Sequence, residues 1–320
     1  MKKLKGGVGS DFPFSFFEEK AGLTIRNFKV IKPHVLFVST GSGSFILKRY
    51  SSVHSVRQQW GLFTGLPKDS PVIPFSPFPS GDFYIRDEYG STWTLAPYMY
   101  RGEGLSYKRK WDRETACDVL DQFHQKAKGV KVKTGIVKQP LYIHWRKRFR
   151  LFENHYDVFR HYGYGGLFDS LRQVSEKAYN QFVKLDWYGL ENRGMNELSW
   201  VHGDVAAHNF LKTEHNKVYL IDFDLASQSP RVYDWIQIAQ RFLPFVEGRE
   251  EIAYIEHKLT QEELPFFRLG LAIPASIVRE WNTFMASHPS SEEVLYYLQV
   301  LHGRWRKQQT FVEQNKFMLT

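Results

Sequence analysis

Oxygen-bearing side chains occur at fixed spacings in the second half of the sequence. Asp204 is followed five positions later by Asn209, and a strand-turn-strand pattern over residues 209–223 separates Asn209 from Asp222. A loop of that length can direct Asp204 and Asn209 into one cleft, and a hairpin would return Asp222 to the same edge. Phosphoryl transfer requires such a set, because an acid must orient or receive the hydroxyl proton and oxygen ligands must hold Mg²⁺. The spacing therefore favours a phosphoryl-transfer site.

The sequence before residue 98 predicts a small antiparallel sheet with one helix. Its first three strands form a meander, and the glycine, serine and glycine at 41–43 make the turn between the second and third strands. The predicted elements are strands at 28–31, 35–39 and 45–50, a helix at 51–65, a proline-rich loop at 67–79, and strands at 82–87 and 92–96.

Beyond Gly104 the pattern changes to long helical periodicities, interrupted by the short hairpin at 209–223. We expect a fold of class α+β, with a sheet lobe at 1–97 and a larger, mainly helical lobe at 103–320. The helices are predicted at 113–128, 142–161 and 167–184, with four more after Val232.

Composition excludes several classes of protein. Hydrophobic residues make up 42% and aromatic residues 16% of the chain, which excludes a disordered protein. Cys117 is the single cysteine, and residues 1–13 contain glycine, aspartate and proline where an export signal needs an apolar stretch. We therefore expect a cytoplasmic protein with no membrane segment. The net charge of +9 favours anionic partners, and the basic run at 146–150 is either a solvated helix face or a binding surface.

Three short motifs resemble those of the aminoglycoside phosphotransferase and choline kinase superfamily. They are Val-His-Gly-Asp at 201–204, His-Asn-Phe-Leu at 208–211 and Ile-Asp-Phe-Asp at 221–224. Their wording is most similar to that of the kinase-like proteins associated with bacterial spore coats. The resemblance implies a two-lobed protein-kinase-like fold with a hinge at 98–102, and a protein that uses ATP and Mg²⁺.

Carried over position by position, the resemblance makes Asp204 the catalytic base and Asn209 and Asp222 ligands of Mg²⁺. Asp224 stands where protein kinases have glycine, and is either a second metal ligand or an acid that stabilises the turn. His202 is expected to hold the catalytic loop by packing and hydrogen bonding rather than to transfer protons.

The resemblance also assigns residues of the first lobe. Lys48, on the third strand, resembles the lysine that contacts the α and β phosphates of the nucleotide. Backbone groups of Tyr98, Met99 and Tyr100 in the hinge would bind adenine. Asp234 follows a proline and an arginine at the start of a helix, so it either caps that helix or braces the catalytic loop.

Two features depart from the kinase pattern. The first turn, at 31–34, contains no glycine that would let backbone N–H groups approach phosphates. The helix after Lys48 contains no Asp or Glu to pair with the lysine, so Lys48 is positioned by packing or by a neutral hydrogen bond from Gln58 or Gln59. Both features predict weak nucleotide binding.

The sequence thus predicts a Mg²⁺-dependent kinase that moves the γ-phosphoryl group of ATP to a hydroxyl of a small molecule. An alternative is a pseudokinase that serves as a structural component of the spore coat and binds spore-coat proteins. A nucleic-acid binder that uses the basic helix around Arg146 is the least favoured alternative, because no recognised nucleic-acid-binding module accompanies those charges.

Overall fold

A computed structural model describes residues 14–100, 102–135, 139–246 and 248–314. The expectation about an export signal in residues 1–13, and Arg101 of the expected hinge, lie outside the described residues. Within the described ranges, no helix is both long enough and apolar enough to cross a membrane.

The first lobe is an antiparallel sheet with strand order β1-β2-β3-β5-β4. The predicted meander is confirmed, since β1 pairs with β2 and β2 with β3 in antiparallel register. The first-lobe elements are α1 (Ser15–Ala21), β1 (Ile25–Lys32), β2 (Val35–Thr40), β3 (Ser44–Tyr50), α2 (Val53–Gly65), β4 (Ile85–Arg86) and β5 (Thr92–Pro97).

The second lobe is mainly helical, as predicted, and carries the short hairpin of β7 and β8. Single-turn helices cover Ala207–Asn209 and Phe223–Leu225. Its strands are β6 (Trp200–Val201), β7 (Phe210–Lys212), β8 (Val218–Leu220) and β9 (Ser227–Gln228). Its helices are α3 (Lys110–Ala127), α4 (Leu141–Glu153), α5 (Tyr156–His161), α6 (Gly165–Phe182), α7 (Trp187–Asn196), α8 (Val232–Phe242), α9 (Arg249–Glu256), α10 (Leu264–Ala272), α11 (Ala275–Met285) and α12 (Ser291–Gln314).

Several element predictions need correction. The helix predicted at 142–161 is two helices, because Asn154 and His155, both poor helix formers, lie at the break between α4 and α5. Helix α7 was not predicted, since glycines at 189 and 194 lower its helix propensity. Helix α1 was also not predicted. The strand predicted at 82–87 is only two residues long. In the described chain, five helices rather than four follow from residue 232 onward.

The two lobes meet around helix α2 and the segment that follows β8. The ring of Phe63 in α2 lies 5.2 Å from that of Phe223. Gln58, also in α2, donates a hydrogen bond of 2.7 Å to the carbonyl of Ala226. Because Phe63 belongs to the main core of the helical lobe, α2 fixes the cleft between the lobes at the predicted phosphoryl-transfer motifs. The lobe limits at residues 97 and 103 stay a prediction.

Candidate functional site

The predicted catalytic loop brings Asp204 and Asn209 together. The side-chain amide of Asn209 donates to the Asp204 carbonyl at 2.8 Å and to its carboxylate Oδ2 at 3.2 Å. The other carboxylate oxygen of Asp204 accepts a charge-assisted hydrogen bond of 2.7 Å from Arg241 in α8. Asp204 is therefore an oriented carboxylate with 31% of its side chain exposed to the cleft.

Asp234 fixes the backbone of the loop that carries Asp204. The buried carboxylate of Asp234 accepts hydrogen bonds from the backbone N–H groups of His202 at 2.7 Å and Gly203 at 2.9 Å, and from His124 Nε2 at 3.0 Å. Burial raises the pKa of Asp234, but the hydrogen bond and charge of His124 outweigh this effect and leave the pKa below its ordinary value. Of the two roles open for Asp234, the contacts support bracing of the catalytic loop, because none of these bonds caps helix α8.

His202 connects the catalytic loop to the predicted metal-binding segment. Its Nδ1 accepts the backbone N–H of Asp204 at 3.3 Å, which places its proton on Nε2, and Nε2 donates to the Ile221 carbonyl at 3.0 Å. Burial lowers the pKa of His202, so the ring is neutral near pH 7. Its contacts agree with the positioning role expected from the sequence.

Replacing Asp234 with asparagine should destabilise the folded protein. An asparagine presents an NH₂ group to donors that now bind a carboxylate, so we expect a loss of about 2 to 4 kcal/mol in the free energy of unfolding at pH 7. Because the folded-state pKa is lowered, the contribution of the carboxylate is complete above the unfolded-state pKa and disappears as the pH falls through the folded-state pKa. Chemical denaturation across this acid range measures both effects.

The matched control is Asp186→Asn, because exposed Asp186 caps helix α7 through a hydrogen bond to the Gly189 N–H. Asparagine caps helices equally well, so this variant should change stability by less than about 0.5 kcal/mol. Equal stability of the Asp234→Asn protein and the wild type at pH 7 would contradict the bracing role.

Lys48 reaches across the cleft to the predicted metal-binding segment. Its ammonium lies 2.5 Å from Asp222 Oδ1 and 2.7 Å from Asp224 Oδ1, and 5.0 Å from the centre of the Tyr50 ring. Burial raises the pKa of Asp222, but the charge and hydrogen bond of Lys48 more than offset this and lower it. The side chain of Lys48 is only 13% exposed, so it points into the cleft and not into solvent.

The expectation that Gln58 or Gln59 positions Lys48 is wrong. Gln58 donates to the segment after β8, and Gln59 accepts from the Tyr50 hydroxyl. The acidic partners of Lys48 lie across the cleft in the sequence 222–224, not in the helix that follows the lysine. The second of the two reasons for weak nucleotide binding therefore does not hold, although the affinity for nucleotide stays a prediction.

The oxygen ligands present at 209 and 222–224 suit Mg²⁺. In the part of the chain that the structure describes, no three His, Cys, Asp or Glu side chains form a metal-binding group by themselves. At phosphate-transfer sites, however, Mg²⁺ takes one or two protein carboxylates and completes its shell with phosphate oxygens and water. Asp222 and Asp224 can supply the carboxylates, and the side-chain oxygen of Asn209 a further ligand. In the described chain, Lys48 is the cation in direct contact with both carboxylates, and the charge of Lys32 acts on Asp222 as well.

The backbone at Asp222 is itself unusual. Asp222 has a φ of 68°, in the left-handed region that aspartate and asparagine tolerate better than other non-glycine residues. This conformation lets the chain turn directly from β8 into the single-turn helix that carries Asp224.

One of the backbone donors predicted to bind adenine, the N–H of Tyr98, is already used within the sheet. The N–H of Tyr98 donates to the Ser44 carbonyl at 3.0 Å, which extends the pairing of β3 with β5. The ring of Tyr98 packs against Phe37 at 4.7 Å. Adenine recognition by the Tyr98 carbonyl and by Met99 and Tyr100 stays a prediction.

The turn between β1 and β2 contains no glycine, but the last residue of β1, Lys32, places a positive charge near Asp222. The turn joins Lys32 to Val35, and the charge of Lys32 adds to that of Lys48 in lowering the pKa of Asp222. The glycines at 41–43 form the β2–β3 turn, as predicted, with Thr40 N–H donating to the Gly43 carbonyl at 2.8 Å. Lys32 was not singled out from the sequence, because nothing local shows that this turn overlies the metal-binding segment.

The chain has a kinase-like fold, and solved structures share it. An aminoglycoside phosphotransferase from Alicyclobacillus acidocaldarius subsp. acidocaldarius DSM 446 is 17% identical, with a TM-score of 0.76 over 97% of this chain and 98% of that chain. Spectinomycin phosphotransferase, in complex with ADP and spectinomycin, is 15% identical, with a TM-score of 0.60 over 92% of this chain and 97% of that chain. A choline kinase from Streptococcus pneumoniae is 13% identical, with a TM-score of 0.52 over 91% of this chain and 96% of that chain.

A family model also matches part of the sequence. The model of the phosphotransferase enzyme family matches residues 160–268, a segment that contains Asp204, Asn209, Asp222 and Asp224. No curated protein matches the chain. The narrower resemblance to spore-coat kinase-like proteins is not confirmed by these comparisons.

Proposed function

We propose that the protein is a Mg²⁺-dependent kinase that transfers the γ-phosphoryl group of ATP to a hydroxyl of a small molecule. The observation that carries the proposal is that one cleft contains an oriented carboxylate and, beside it, a lysine paired with two further carboxylates. Asn209 orients Asp204 from one side, and Lys48 joins Asp222 and Asp224 from the other lobe. The match to the phosphotransferase family over residues 160–268, and structural neighbours solved with ADP, AMP or AMP-PNP, support the proposal.

In the proposed reaction, the hydroxyl oxygen of the acceptor attacks the γ-phosphorus and the bond from that phosphorus to the β–γ bridging oxygen breaks. ADP leaves with the bond electrons, and Asp204 accepts the hydroxyl proton. Lys48 would bind the nucleotide phosphates and hold Asp222 in place. Mg²⁺, when bound by Asn209, Asp222 and Asp224, would offset the negative charge of the phosphates.

A second candidate is a pseudokinase that binds nucleotide without turnover. The glycine-free turn between β1 and β2 favours it, because few backbone N–H groups can approach the β and γ phosphates there. The complete set of Asp204, Asn209 and Asp222 opposes it. A role in the spore coat, with spore-coat partners, is supported only by the sequence of the three motifs.

Calorimetric titration of ATP with and without Mg²⁺ tests the proposal, followed by ADP release with a panel of hydroxyl compounds. We expect Mg²⁺-dependent binding and acceptor-dependent ADP release. Binding without acceptor-dependent release across the panel would favour the pseudokinase. The absence of any heat and thermal shift with millimolar ATP and Mg²⁺ would contradict both candidates.

A further inference from the structure

A cavity lined by three arginines opens beside the catalytic loop. Its volume is about 220 Å³, and Gly203, next to Asp204, forms part of its wall. Arg241 lines it from α8, Arg148 from α4 and Arg279 from α11. The backbone of α4 is joined to α11 by a hydrogen bond of 2.9 Å from Asn282 to the Arg148 carbonyl, so two of the arginines stand on helices that contact each other.

The positive charge of this cavity is not balanced by the protein. Arg241 uses one terminal nitrogen for Asp204, while its buried Nε has no partner. Over the ranges that the structure describes, the guanidinium groups of Arg148 and Arg279 take part in none of the hydrogen bonds or ion pairs of the fold.

Acidic groups near the cavity are already engaged. The carboxylate of Asp234, which also lines the cavity, is fully buried and accepts the two backbone N–H groups and His124. Glu280, whose charge reaches Arg241, is paired with Arg304 at 2.5 Å. Neither acid neutralises Arg148 or Arg279.

The three arginines are near enough for their charges to repel one another. Burial lowers the pKa of Arg148, and the charge of Arg279 lowers it further. Burial and Arg279 also lower the pKa of Arg241, and the nearby Asp204 opposes that shift. Partly buried cations are normally paired, because removing them from water without a counter-charge is costly. The cavity is thus arranged to receive an anion.

We propose that the acceptor carries an anionic group, a carboxylate or a phosphate, that Arg148 and Arg279 bind in this cavity while the hydroxyl of the acceptor faces Asp204. The planar fork of each guanidinium matches carboxylate and phosphate oxygens in paired hydrogen bonds. The small volume indicates a small acceptor. Cationic amino sugars are disfavoured, because the like charges of the arginines would repel them. This inference rests on the proposed kinase function and specifies its substrate class.

The test measures the release of ADP from Mg-ATP by the protein in the presence of matched acceptors. Glucose, glucosamine, gluconate and glucose 6-phosphate form one set, and glycerol, serinol, glycerate and glycerol 3-phosphate form a second. Each set contains a neutral compound, a cationic amine, a carboxylate and a phosphate, in that order. The last two compounds show whether the site prefers a carboxylate or a phosphate. We expect ADP release with an anionic member and little with its neutral or cationic counterpart.

Arg148→Gln and Arg279→Gln should each raise the KM for the anionic acceptor by about tenfold or more, the effect of losing a hydrogen bond to a charged group. The kcat and the Kd for Mg-ATP should change much less. Arg146→Gln is the matched control, since Arg146 is exposed on the same helix and does not line the cavity. Should either variant fail to fold, the wild-type KM for the anionic acceptor must still rise with ionic strength, while that for a neutral one must not.

Calorimetric binding of the anionic compounds, with and without AMP-PNP, separates this inference from the kinase function. An anionic compound that binds independently of AMP-PNP and needs Arg148 and Arg279 supports the anion site, even if Mg-ATP fails to bind and the kinase function falls. The inference is overturned by any of three results: equal use of neutral or cationic acceptors, an equal effect of Arg146→Gln, or no anion binding outside the nucleotide site.

Discussion

Asp204→Asn is expected to lower turnover by about 100-fold or more, the usual contribution of a positioned general base. Asparagine has the same shape and can keep a hydrogen bond with Asn209, but it cannot accept the proton of the acceptor hydroxyl. Affinity for Mg-ATP should stay within about threefold of the wild type, an energy difference below 1 kcal/mol. Single-turnover ADP release and calorimetric titration of Mg-ATP measure the two quantities separately.

The charge balance around Arg241 sharpens this prediction. The variant removes the carboxylate that pairs with Arg241 at 2.7 Å, so the neighbouring cavity becomes more positive. The KM for an anionic acceptor should therefore not rise, while kcat falls. Asp186→Asn, an exposed change in the same lobe, should leave both constants unchanged. Equal losses of nucleotide affinity and turnover in Asp204→Asn would make Asp204 a structural residue instead of a base.

Local spacing was sufficient to predict that Asp204 and Asn209 lie together. Asp204 and Asn209 are five residues apart, so their hydrogen bond depends on one short loop after β6. Asp222 follows a hairpin whose strands were recognisable as two short apolar runs that flank a turn-like segment, and Ile221 N–H donates to the Asn209 carbonyl at 3.0 Å. Because these contacts are nearly all between neighbours in sequence, the pattern carried the information needed.

Contacts between distant elements could not be predicted in the same way. Lys48 was recognised from the order of strands, but its acidic partners lie 174 and 176 residues away, across the cleft. Arg241 reaches Asp204 from a helix that begins well after the motifs, and its position depends on how α8 packs. Of the basic run at 146–150, only Arg148 turns into the cavity beside Asp204, and the sequence alone did not distinguish it from its exposed neighbours.

Asp222→Asn is expected to weaken Mg²⁺-dependent nucleotide binding by about 100-fold or more, since even residues that only support a metal ligand typically contribute 10- to 100-fold. The substitution replaces a charged oxygen ligand with a neutral one. Asparagine tolerates the positive φ of 68° at this position, so the turn after β8 should be retained. Titration of ATP at several Mg²⁺ concentrations, with circular dichroism as the check on folding, gives the result directly.

Asp224→Asn provides the comparison, because Asp224 also contacts Lys48 but its role was left open between a second metal ligand and a turn-stabilising acid. A metal ligand at 224 would make this variant require more Mg²⁺ for half-maximal ATP binding. A turn-stabilising acid would instead lower the Tm and leave the Mg²⁺ titration unchanged. Both variants keep one carboxylate for Lys48, so loss of the lysine's ion pair alone should affect them similarly. A well-folded Asp222→Asn protein whose Mg²⁺ titration matches the wild type would remove Asp222 from the metal site, and with it the main support for metal-dependent phosphoryl transfer in this cleft.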